Sequence, residues 1–432
     1  MTHNGGTTRA TGTTGTTGTP GAAVRAVNRL TSRWATTLPA DGGTAFSAPG
    51  VWPLLAFLAD GAGGAAREEL ADAVGLPACE AADAARRLLS AMSAMRGVDA
   101  AIGLWTQRTL TLRDAWLDGL PVAALGVLTG DADADAAALD AWAAERTGGQ
   151  IQRLPARPDQ DTGLVLAGAL ALRTDWFRPF DEGAMWPEAG PWKGRALKSL
   201  SRVSSLLDRV GFTETADGCV TRLMVLGDTG IDVHLLLGEE GMPPGQVLGA
   251  GVGMLAPGLA VTSGPLLPLG DVAPGLSVRR ELNTRPRPPR LYATTVPFAL
   301  TADHDLLAEP ELFGLGTARR RSAQHFPGVS AEPLAISGGR QTTTAAFGAL
   351  GFRAASVTAL MGIGAGVPEL RYRITEVHAT FDRPFGFLAV ERRSRLVLAA
   401  GWVTDPEPYR EDEESDDSDD EEDYDDEYDE GG

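Results

Sequence analysis

The sequence predicts an α+β fold, because helical patterns come mostly early in the chain and strand patterns mostly late. Apolar residues recur at helical spacing from about residue 24 to residue 75. From residue 164 onward, short apolar or alternating runs are separated by turn residues. This order favours α+β over a regular alternation of strand and helix, and no internal repeat is visible.

The first elements are a flexible arm and then helices. Residues 1–22 are a Thr/Gly-rich arm, which buries too little apolar surface to order itself. A helix should follow, with one apolar face made by Val24, Val27, Leu30 and Trp34. Further helices are predicted from "FSAPGVWPLLAFLADGAGG", from "AAREELADAVGL" ending at Gly75, and from "DADADAAALDAWAAERTGGQIQRL" stopping at Gly148.

The remaining pattern is mostly strands. "GLVLAGALALRTDWF" is so continuously apolar that it should be central in a sheet. "TRLMVL" and "IDVHLLLGEE" should form a hairpin around "GDTG". "RLYATTVPFAL" should be one strand, followed by the helix-like "DHDLLAEPELFGL". Other strands are predicted in "AIGLWTQRTLTL", "RQTTTAAF", "EVHATFDRPFGFLAVE" and "RLVLAAGWV".

Composition excludes several classes of protein. The net charge of −19 comes largely from residues 411–430, which hold sixteen acidic residues and no basic one, so no broad basic surface for nucleic acid is expected. We expect residues 407–432 to be a disordered acidic tail that is solubilising, docks a basic partner or weakly attracts calcium. No apolar run is long enough for a membrane span, and without a signal peptide a cytoplasmic protein is expected. Cys79 and Cys219 should be unpaired thiols.

Motifs for catalysis, metals and phosphate are missing. Asp131, Asp133 and Asp135 have the opening spacing of a calcium loop, but Ala136 and Trp142 stand where Gly and Glu belong. The glycines of "LGAGVGM" and "MGIGAG" do not complete a dinucleotide fingerprint, and both segments are interpreted as loops. The histidines have no metal-ligand spacing. Neither a cofactor nor an enzymatic activity is expected.

Several segments, in the correct order from about residue 24 to residue 406, resemble the serpins, a family of large protease inhibitors. "FDRPFGFLAVERRSRLVLAAGWVTDP" resembles the family's C-terminal signature, with Arg383, Pro384 and Phe385, and "LVLAGALALRTDWFRPF" resembles its central strand with the characteristic Trp176. "LDAWAAERTGGQIQRL", "VPFALTADHDLLAEPELFGLG" and "FSAPGVWPLLAFLADGAGGAAREEL" resemble further elements. The resemblance, of bacterial type, implies one domain over residues 23–406, with three sheets and about nine helices.

The resemblance also implies that "GFRAASVT" is the hinge of an exposed reactive-centre loop. A protease cuts this loop, which then inserts into the main sheet as a strand. The hinge residues are Gly351, Phe352, Arg353, Ala354, Ala355, Ser356, Val357 and Thr358. Ala349, Phe352 and Arg353 depart from the family's usual Glu, Thr or Ser, and Glu.

Alternation along a strand makes Phe352 the critical departure. Once inserted, Phe352, Ala354, Ser356 and Thr358 would face inward, whereas Arg353, Ala355 and Val357 would face outward. Burial of Phe352 would stabilise the inserted strand by about 2 kcal/mol in a matching cavity. Without a cavity, overpacking would cost about 1–3 kcal/mol and slow insertion.

Three more departures concern the region where the sheet opens. Gly50, Gly168 and Gln341 replace a Ser, an Asn and a His that are usual in the family. A thinner hydrogen-bond network is expected there.

Two registers place the scissile bond differently. Counting forward from Gly351 gives the Ala365–Gly366 bond, which suits an elastase- or subtilisin-like protease. Counting back from the C-terminal signature gives a bond near Arg371 or Arg373, which suits a trypsin-like one. The first register is favoured because its distance from the hinge determines how far a protease is carried.

The function implied by the resemblance is inhibition of serine-type endopeptidases by loop cleavage and insertion. The alternative is a non-inhibitory serpin that acts as a binding or chaperone-like protein. The expected partner is a serine protease, the expected state is a monomer, and the resemblance makes an extracellular location an alternative to the cytoplasm.

Overall fold

The computed structural model describes residues 20–121, 124–158, 162–320, 323–352 and 372–410. In this part of the chain there are eight α-helices, most of them before residue 150. They are α1 (Pro20–Ala35), α2 (Trp52–Gly61), α3 (Gly64–Val74), α4 (Ala78–Ser93), α5 (Asp114–Leu117), α6 (Ala132–Arg146), α7 (Pro244–Gly253) and α8 (Pro310–Phe313). Short 3-10 turns occur at Ala48–Gly50, Leu207–Arg209 and Gly264–Leu266.

The strands of the described residues run from Thr44 to Val403. The first ten are β1 (Thr44–Phe46), β2 (Val98–Gln107), β3 (Leu125–Leu128), β4 (Leu164–Leu172), β5 (Thr174–Asp175), β6 (Asp181–Met185), β7 (Leu197–Ser204), β8 (Val210–Thr215), β9 (Gly218–Val225) and β10 (Ile231–Gly238). The next ten are β11 (Thr262–Ser263), β12 (Gly270–Ala273), β13 (Leu276–Asn283), β14 (Arg290–Thr295), β15 (Phe298–Asp305), β16 (Ile336–Phe347), β17 (Gly351–Phe352), β18 (Tyr372–Thr380), β19 (Phe385–Glu391) and β20 (Val397–Val403).

These strands form three large sheets and one small one. The seven-stranded sheet has the order β1-β20-β19-β10-β9-β8-β11, and the six-stranded sheet has the order β12-β13-β18-β14-β7-β6. The five-stranded sheet has the order β15-β16-β4-β2-β3, and β17 pairs with β5 in a sheet of two strands. The α+β prediction is confirmed.

The five-stranded sheet is covered on both faces. β4 is its central strand and all nine of its residues are buried, as its continuous apolar run predicts. One face packs beneath α6 in a separate core cluster that includes Trp105, Leu139 and Ala167. The other face, with Leu166 and Leu170, belongs to the main core.

Several predicted elements are confirmed. β9 and β10 form the expected antiparallel hairpin. α3 ends at Gly75 in the left-handed conformation (φ 71°), which glycine adopts without strain. Asp131 caps α6 by accepting hydrogen bonds from the backbone N–H groups of Asp133 and Ala134. Both cysteines are free.

Three predictions about local structure were wrong. "RLYATTVPFAL" forms two strands, β14 and β15, in different sheets, and the break falls at Pro297, which cannot donate to a ladder. "DHDLLAEPELFGL" is helical only over α8. "LGAGVGM" belongs mostly to α7, where Gly251 lets the helix lie close to β10: a Cβ there would be 2.1 Å from the Leu236 side chain.

Candidate functional site

The candidate site lies where β16 and β4 separate at one end of the five-stranded sheet. The two strands pair in parallel from Ile336 to Thr343, opposite Leu164 to Leu170. Beyond Thr343, β16 continues to Phe347, and its partner there among the described strands is β15. Among the described residues, no ladder joins the two strands at this end, and we call the space between them the wedge.

The chain after β16 turns back into this wedge. Gly351 pairs with Asp175 and Phe352 with Thr174 in an antiparallel register. The turn closes with a hydrogen bond of 3.0 Å from Gly348 N–H to Gly351 C=O. β17 therefore runs antiparallel to β16, in the direction that a strand between β16 and β4 would take.

Trp176 fixes this turn from the side of β5. Its backbone N–H donates to Leu350 C=O (2.8 Å) and its indole Nε1–H donates to Gly348 C=O (2.9 Å). Phe180 N–H donates to Ala349 C=O at 2.9 Å. Three successive carbonyls are thus satisfied by the segment that follows β4, so the position of the turn depends on that segment.

Gly351 is required by close approach of the backbone. A Cβ at this position would lie 2.5 Å from the Thr174 carbonyl oxygen, which cannot move without breaking the pair. The resemblance to the serpins placed Gly351 first in the hinge without a steric reason. The structure gives a steric reason, which lies in the partner strand.

Phe352 already occupies an inward position. Its side chain is only 2% exposed and its ring centroid is 6.0 Å from that of Phe387. Phe387 itself stacks on Phe298 at 5.0 Å, so the ring joins an aromatic core that the seven-stranded and five-stranded sheets share. A cavity that accommodates Phe352 therefore exists next to β5.

Residues of the C-terminal signature also pack in this aromatic core. Phe385 is fully buried, with its ring 6.1 Å from Phe298 and 5.4 Å from Phe381. Arg383 donates from Nη2 to Gly238 C=O at 2.9 Å, which fixes the turn before β19. Pro384 lies in that turn, half-buried.

A buried amide joins β16 to the 3-10 turn that precedes α2. Gln341 Oε1 accepts from Ser47 N–H (2.9 Å), and Gln341 Nε2 donates to Ser47 C=O (2.7 Å). Thr343 Oγ1 donates to the same Oε1 at 3.1 Å. Gln341 is 1% exposed. The network at this point is therefore satisfied by one side chain, although the sequence analysis expected it to be thinner.

The two glycines beside Gln341 explain how the amide fits. A Cβ on Gly168 would lie 2.3 Å from the Gly50 carbonyl oxygen, and a Cβ on Gly50 would lie 2.9 Å from Gln341 Nε2. Gly50, Gly168 and Gln341 therefore form one set, in which two missing side chains make room for the third.

Most of the predicted loop residues lie outside the described part of the chain. These are Arg353, Ala354, Ala355, Ser356, Val357, Thr358, Ala365, Gly366 and Arg371. Arg373 is described: it is exposed and lies in β18, opposite Leu282 of β13.

The pairing of β17 and the role of Gln341 were not predicted from the sequence. A strand of two residues, such as β17, is too short to show a periodic pattern, and its contact joins positions near 174 and 352. Trp176 was therefore the only residue in the sequence that pointed to this contact. Within the described ranges, no group of His, Cys, Asp and Glu could hold a metal ion, and no helix is long and apolar enough to cross a membrane.

Comparison with known proteins gives one family. The model of the serpins, described as serine protease inhibitors, matches residues 23–188. No curated protein sequence matches the chain.

Solved structures of serpins are similar over nearly their whole length. Human thyroxine-binding globulin complexed with its ligand has a TM-score of 0.65 at 16% identity, covering 90% of this chain and 98% of that one. Native protease nexin-1 with heparin has a TM-score of 0.68 at 15% identity, covering 90% and 100%. Serpin48 of the insect Tenebrio molitor, described as highly specific, has a TM-score of 0.65 at 17% identity, covering 89% and 98%.

Proposed function

This chain has the serpin fold, and on that premise we propose that it inhibits serine-type endopeptidases by cleavage and insertion of residues 353–371. The observation that supports the proposal best is the pairing of Gly351 and Phe352 with Thr174 and Asp175. Insertion would extend this pair of residues, whose direction, antiparallel to β16, suits a strand between β16 and β4. The partner would be a serine protease, met by a monomer of this chain.

Insertion would exchange one ladder for two. β16 and β4 are joined at seven parallel positions, which an entering strand would replace with antiparallel pairs on both sides. Antiparallel pairs are slightly more stable per residue than parallel ones, and their number would rise. Cleavage supplies the free end that lets the segment follow β17 into the sheet, so the inserted state would be the more stable one.

The register of β17 assigns a face to each residue that follows it. Continuation of the same register would place Ala354 opposite Leu172, Ser356 opposite Leu170 and Thr358 opposite Gly168. The side chains of directly opposite residues share a face, and Leu170 and Leu172 belong to the main core. The small side chains of the hinge suit these inward positions.

The Ala365–Gly366 bond is our proposed cleavage site. A bond beside Arg373 lies in β18, which pairs with β13 and β14, and a protease binds its substrate as an extended strand that is free on both sides. A cut after Ala365 leaves thirteen residues beyond Phe352, enough for a strand of about 40 Å. That length would carry an attached protease to the far end of β4.

A second candidate function is binding without inhibition. Burial of Phe352 against Phe387 holds the hinge at its start, and this contact favours a stable native state. Thyroxine-binding globulin, one of the similar structures, is named for a small ligand. A chain that is cut but never inserts would fit this candidate.

A denaturing gel separates the two functions. The purified protein is mixed with chymotrypsin-, elastase-, trypsin- and subtilisin-like proteases. Inhibition gives a covalent band that is heavier than the 45.2 kDa chain by nearly the mass of the protease. Cleavage with full retention of protease activity would support the second candidate and refute the first. Mass spectrometry of the same samples locates the cut.

A pair of neighbouring variants tests insertion itself. In the proposed register Ala354 faces the core and Ala355 faces outward. Ala354→Arg should abolish the covalent band because a buried, unpaired charge blocks insertion, whereas Ala355→Arg should retain it. Equal behaviour of the two variants would contradict the register.

A further inference from the structure

A group of arginines, all exposed except the half-buried Arg290, lies on the six-stranded sheet near the start of β18. We call it the arginine patch, and it consists of Arg280, Arg285, Arg287, Arg290 and Arg373. Arg280 and Arg373 belong to β13 and β18, two positions apart in the same ladder. Arg285 and Arg287 lie in the proline-rich connection to β14, which Arg290 begins. The patch thus spans three strands and the loop between β13 and β14.

Most of the positive charge of the patch is not neutralised locally, although Arg290 lies opposite Glu376 in the ladder of β14 and β18. None of its five arginines forms an ion pair with another residue of the described ranges, while the neighbouring Arg279 pairs with Asp271. The only acidic residues of β13, the connection and β18 are Glu281 and Glu376. Glu376 accepts a hydrogen bond from Tyr292 and lies 3.7 Å from His378. The excess of positive charge fits an anionic occupant.

The connection that carries Arg285 and Arg287 is stiff. The stretch "TRPRPPR" from Thr284 to Arg290 contains three prolines. Prolines fix φ and favour an extended chain with a repeat of about 3.1 Å per residue. Its arginines therefore lose little entropy when they bind an extended polyanion.

The chain itself contains a polyanion that begins on the same sheet. Residues 411–430 carry sixteen acidic residues and no basic one. The described chain before them is attached to β7: Lys198 N–H donates to Glu407 C=O (3.0 Å) and Tyr409 N–H donates to Ala196 C=O (2.9 Å). The acidic segment thus starts beside the first residues of β7.

The distance from this start to the arginine patch is short enough. The far end of β7, Ser204, pairs with Leu291, the neighbour of Arg290, so the length of β7 separates the two points by about 23 Å. Twenty-two residues follow Arg410 and span up to about 70 Å when extended. As a flexible chain they would reach on average about 25 Å.

Closer cations are fewer and partly engaged. Arg195 lies 3.0 Å from Asp405, and Lys198 lies 3.2 Å from Glu182. Lys193 is the remaining basic residue of that turn. Arg202, further along β7, is half-buried with its guanidinium over the Phe180 ring. These scattered cations cannot match sixteen carboxylates, whereas five arginines lie together at one end of the sheet.

We propose that residues 411–430 bind the arginine patch of their own chain. The contact is electrostatic and intramolecular, and it shields this end of the six-stranded sheet from other polyanions. The proposal does not depend on inhibition of proteases, so either can fail without the other.

The test uses the full chain, a chain that ends at Arg410, and a fluorescent peptide of residues 411–430. At about 20 mM NaCl the peptide should bind the shortened chain at least tenfold more tightly than the full chain, whose own tail occupies the patch. Raising NaCl to about 200 mM should weaken this binding by tenfold or more, because exposed charges are screened. A peptide that fails to bind the shortened chain, or binds both chains equally, overturns the proposal.

Matched variants of the shortened chain locate the contact. The triple change Arg280→Ala, Arg285→Ala and Arg287→Ala should abolish peptide binding. A control removes the same charge elsewhere with Arg108→Ala, Arg319→Ala and Arg320→Ala, three exposed arginines, and should bind normally. Equal loss in both triples would show that net charge alone attracts the peptide and would refute the patch.

Chemical protection tests the contact in the intact protein. Phenylglyoxal should modify Arg285 and Arg287 several times more slowly in the full chain than in the shortened one, at low salt. The protection should be independent of protein concentration. Protection that increases with concentration would place the tail on a second copy, and equal rates in both chains would leave the patch open; each result contradicts the proposal.

Discussion

The five-stranded and seven-stranded sheets of this molecule differ in how their central strands are buried and paired. In the seven-stranded sheet, β10 and β20 are buried along their whole length and β19 along all but its last residue. In the five-stranded sheet, β16 contains Gly338, Gly339 and three consecutive threonines, and it parts from β4 after Thr343. One sheet is closed at its centre, and the other is separated at one end.

The two sheets are stabilised by different kinds of interaction. The seven-stranded sheet is stabilised by buried apolar side chains and a continuous ladder. Opening it locally would therefore cost a large free energy. The separable sheet relies on a few specific contacts: the amide of Gln341, the ring of Phe352 and the close approach of Gly50 to Gly168. Single substitutions at these points should therefore have large effects.

The largest effect is expected from Gln341→Ala. This change leaves the N–H of Ser47 buried without a partner, at about 1–3 kcal/mol, and adds a cavity. The Ser47 C=O keeps only its 3.2 Å bond from Gly50 N–H. We expect a loss of about 4 kcal/mol in the free energy of unfolding, measured by urea denaturation. Gln246→Ala, at a half-buried position of α7, is the control and should change it by less than about 0.5 kcal/mol. Similar losses of unfolding free energy in both variants would mean that the hydrogen bonds of Gln341 do not contribute more than an ordinary half-buried side chain.

Phe352→Thr should have the next largest effect, about 3 kcal/mol, because it removes a buried ring. The ring already lies beside β5, so it should be in the same place before and after insertion. Phe352→Thr should thus lower the melting temperature of the uncleaved chain and of the chain cut within residues 353–371 by equal amounts. Phe177→Thr, at a position where 62% of the side chain is exposed, is the control and should cost less than 1 kcal/mol.

A faster insertion in Phe352→Thr would contradict the expectation that the ring keeps its place. It would show that the ring obstructs the entering strand, as overpacking would, and that the native position beside β5 is not its position in the inserted strand.

Sequence reasoning succeeded where one strong local pattern decides the structure. The continuous apolar run of residues 164–172 predicts a central buried strand, and the "GDTG" turn predicts the hairpin of β9 and β10. The α+β class and the serpin fold follow from such segments in their order along the chain.

It failed where tertiary contacts override the local pattern. The glycines of α7 resemble a loop until Leu236 is seen packed against Gly251. From the sequence, the replacement of the usual histidine by Gln341 suggests a loss of hydrogen bonds. The structure shows that Gly50 and Gly168 make room for its amide. For Phe352 the sequence leaves open whether a cavity for its ring exists, and the contact with Phe387 is visible only in the structure. Each case depends on residues more than a dozen positions apart, which a single sequence does not pair.

A smaller effect is expected from Gly168→Ala. The new methyl group would lie 2.3 Å from the Gly50 carbonyl oxygen, so the 3-10 turn must move away from β4, at a cost of about 2 kcal/mol. Gly338→Ala is the matched control in β16, because its methyl group would meet Val165 at 3.5 Å, an ordinary contact. Urea unfolding of both variants compares them, and equal stabilities would show that the approach of Gly50 to β4 is not tight.

The smallest effect tests the closed sheet through His234, in the middle of β10. Its side chain is 5% exposed, and burial, aided by the charge of Arg222, lowers its pKa to about 3. Between pH 6.5 and about 3 the unfolded chain binds a proton at this residue that the folded chain does not, so its contribution to stability falls as the pH falls. From pH 6.5 to pH 5.5 we expect a loss of about 1 kcal/mol in the free energy of unfolding. His234→Leu should lose about 1 kcal/mol less than the unaltered chain over this interval, while above pH 7.5 the difference between the two should be independent of pH. An unchanged slope in His234→Leu would mean that the imidazole is solvated and that the seven-stranded sheet is not closed at its centre.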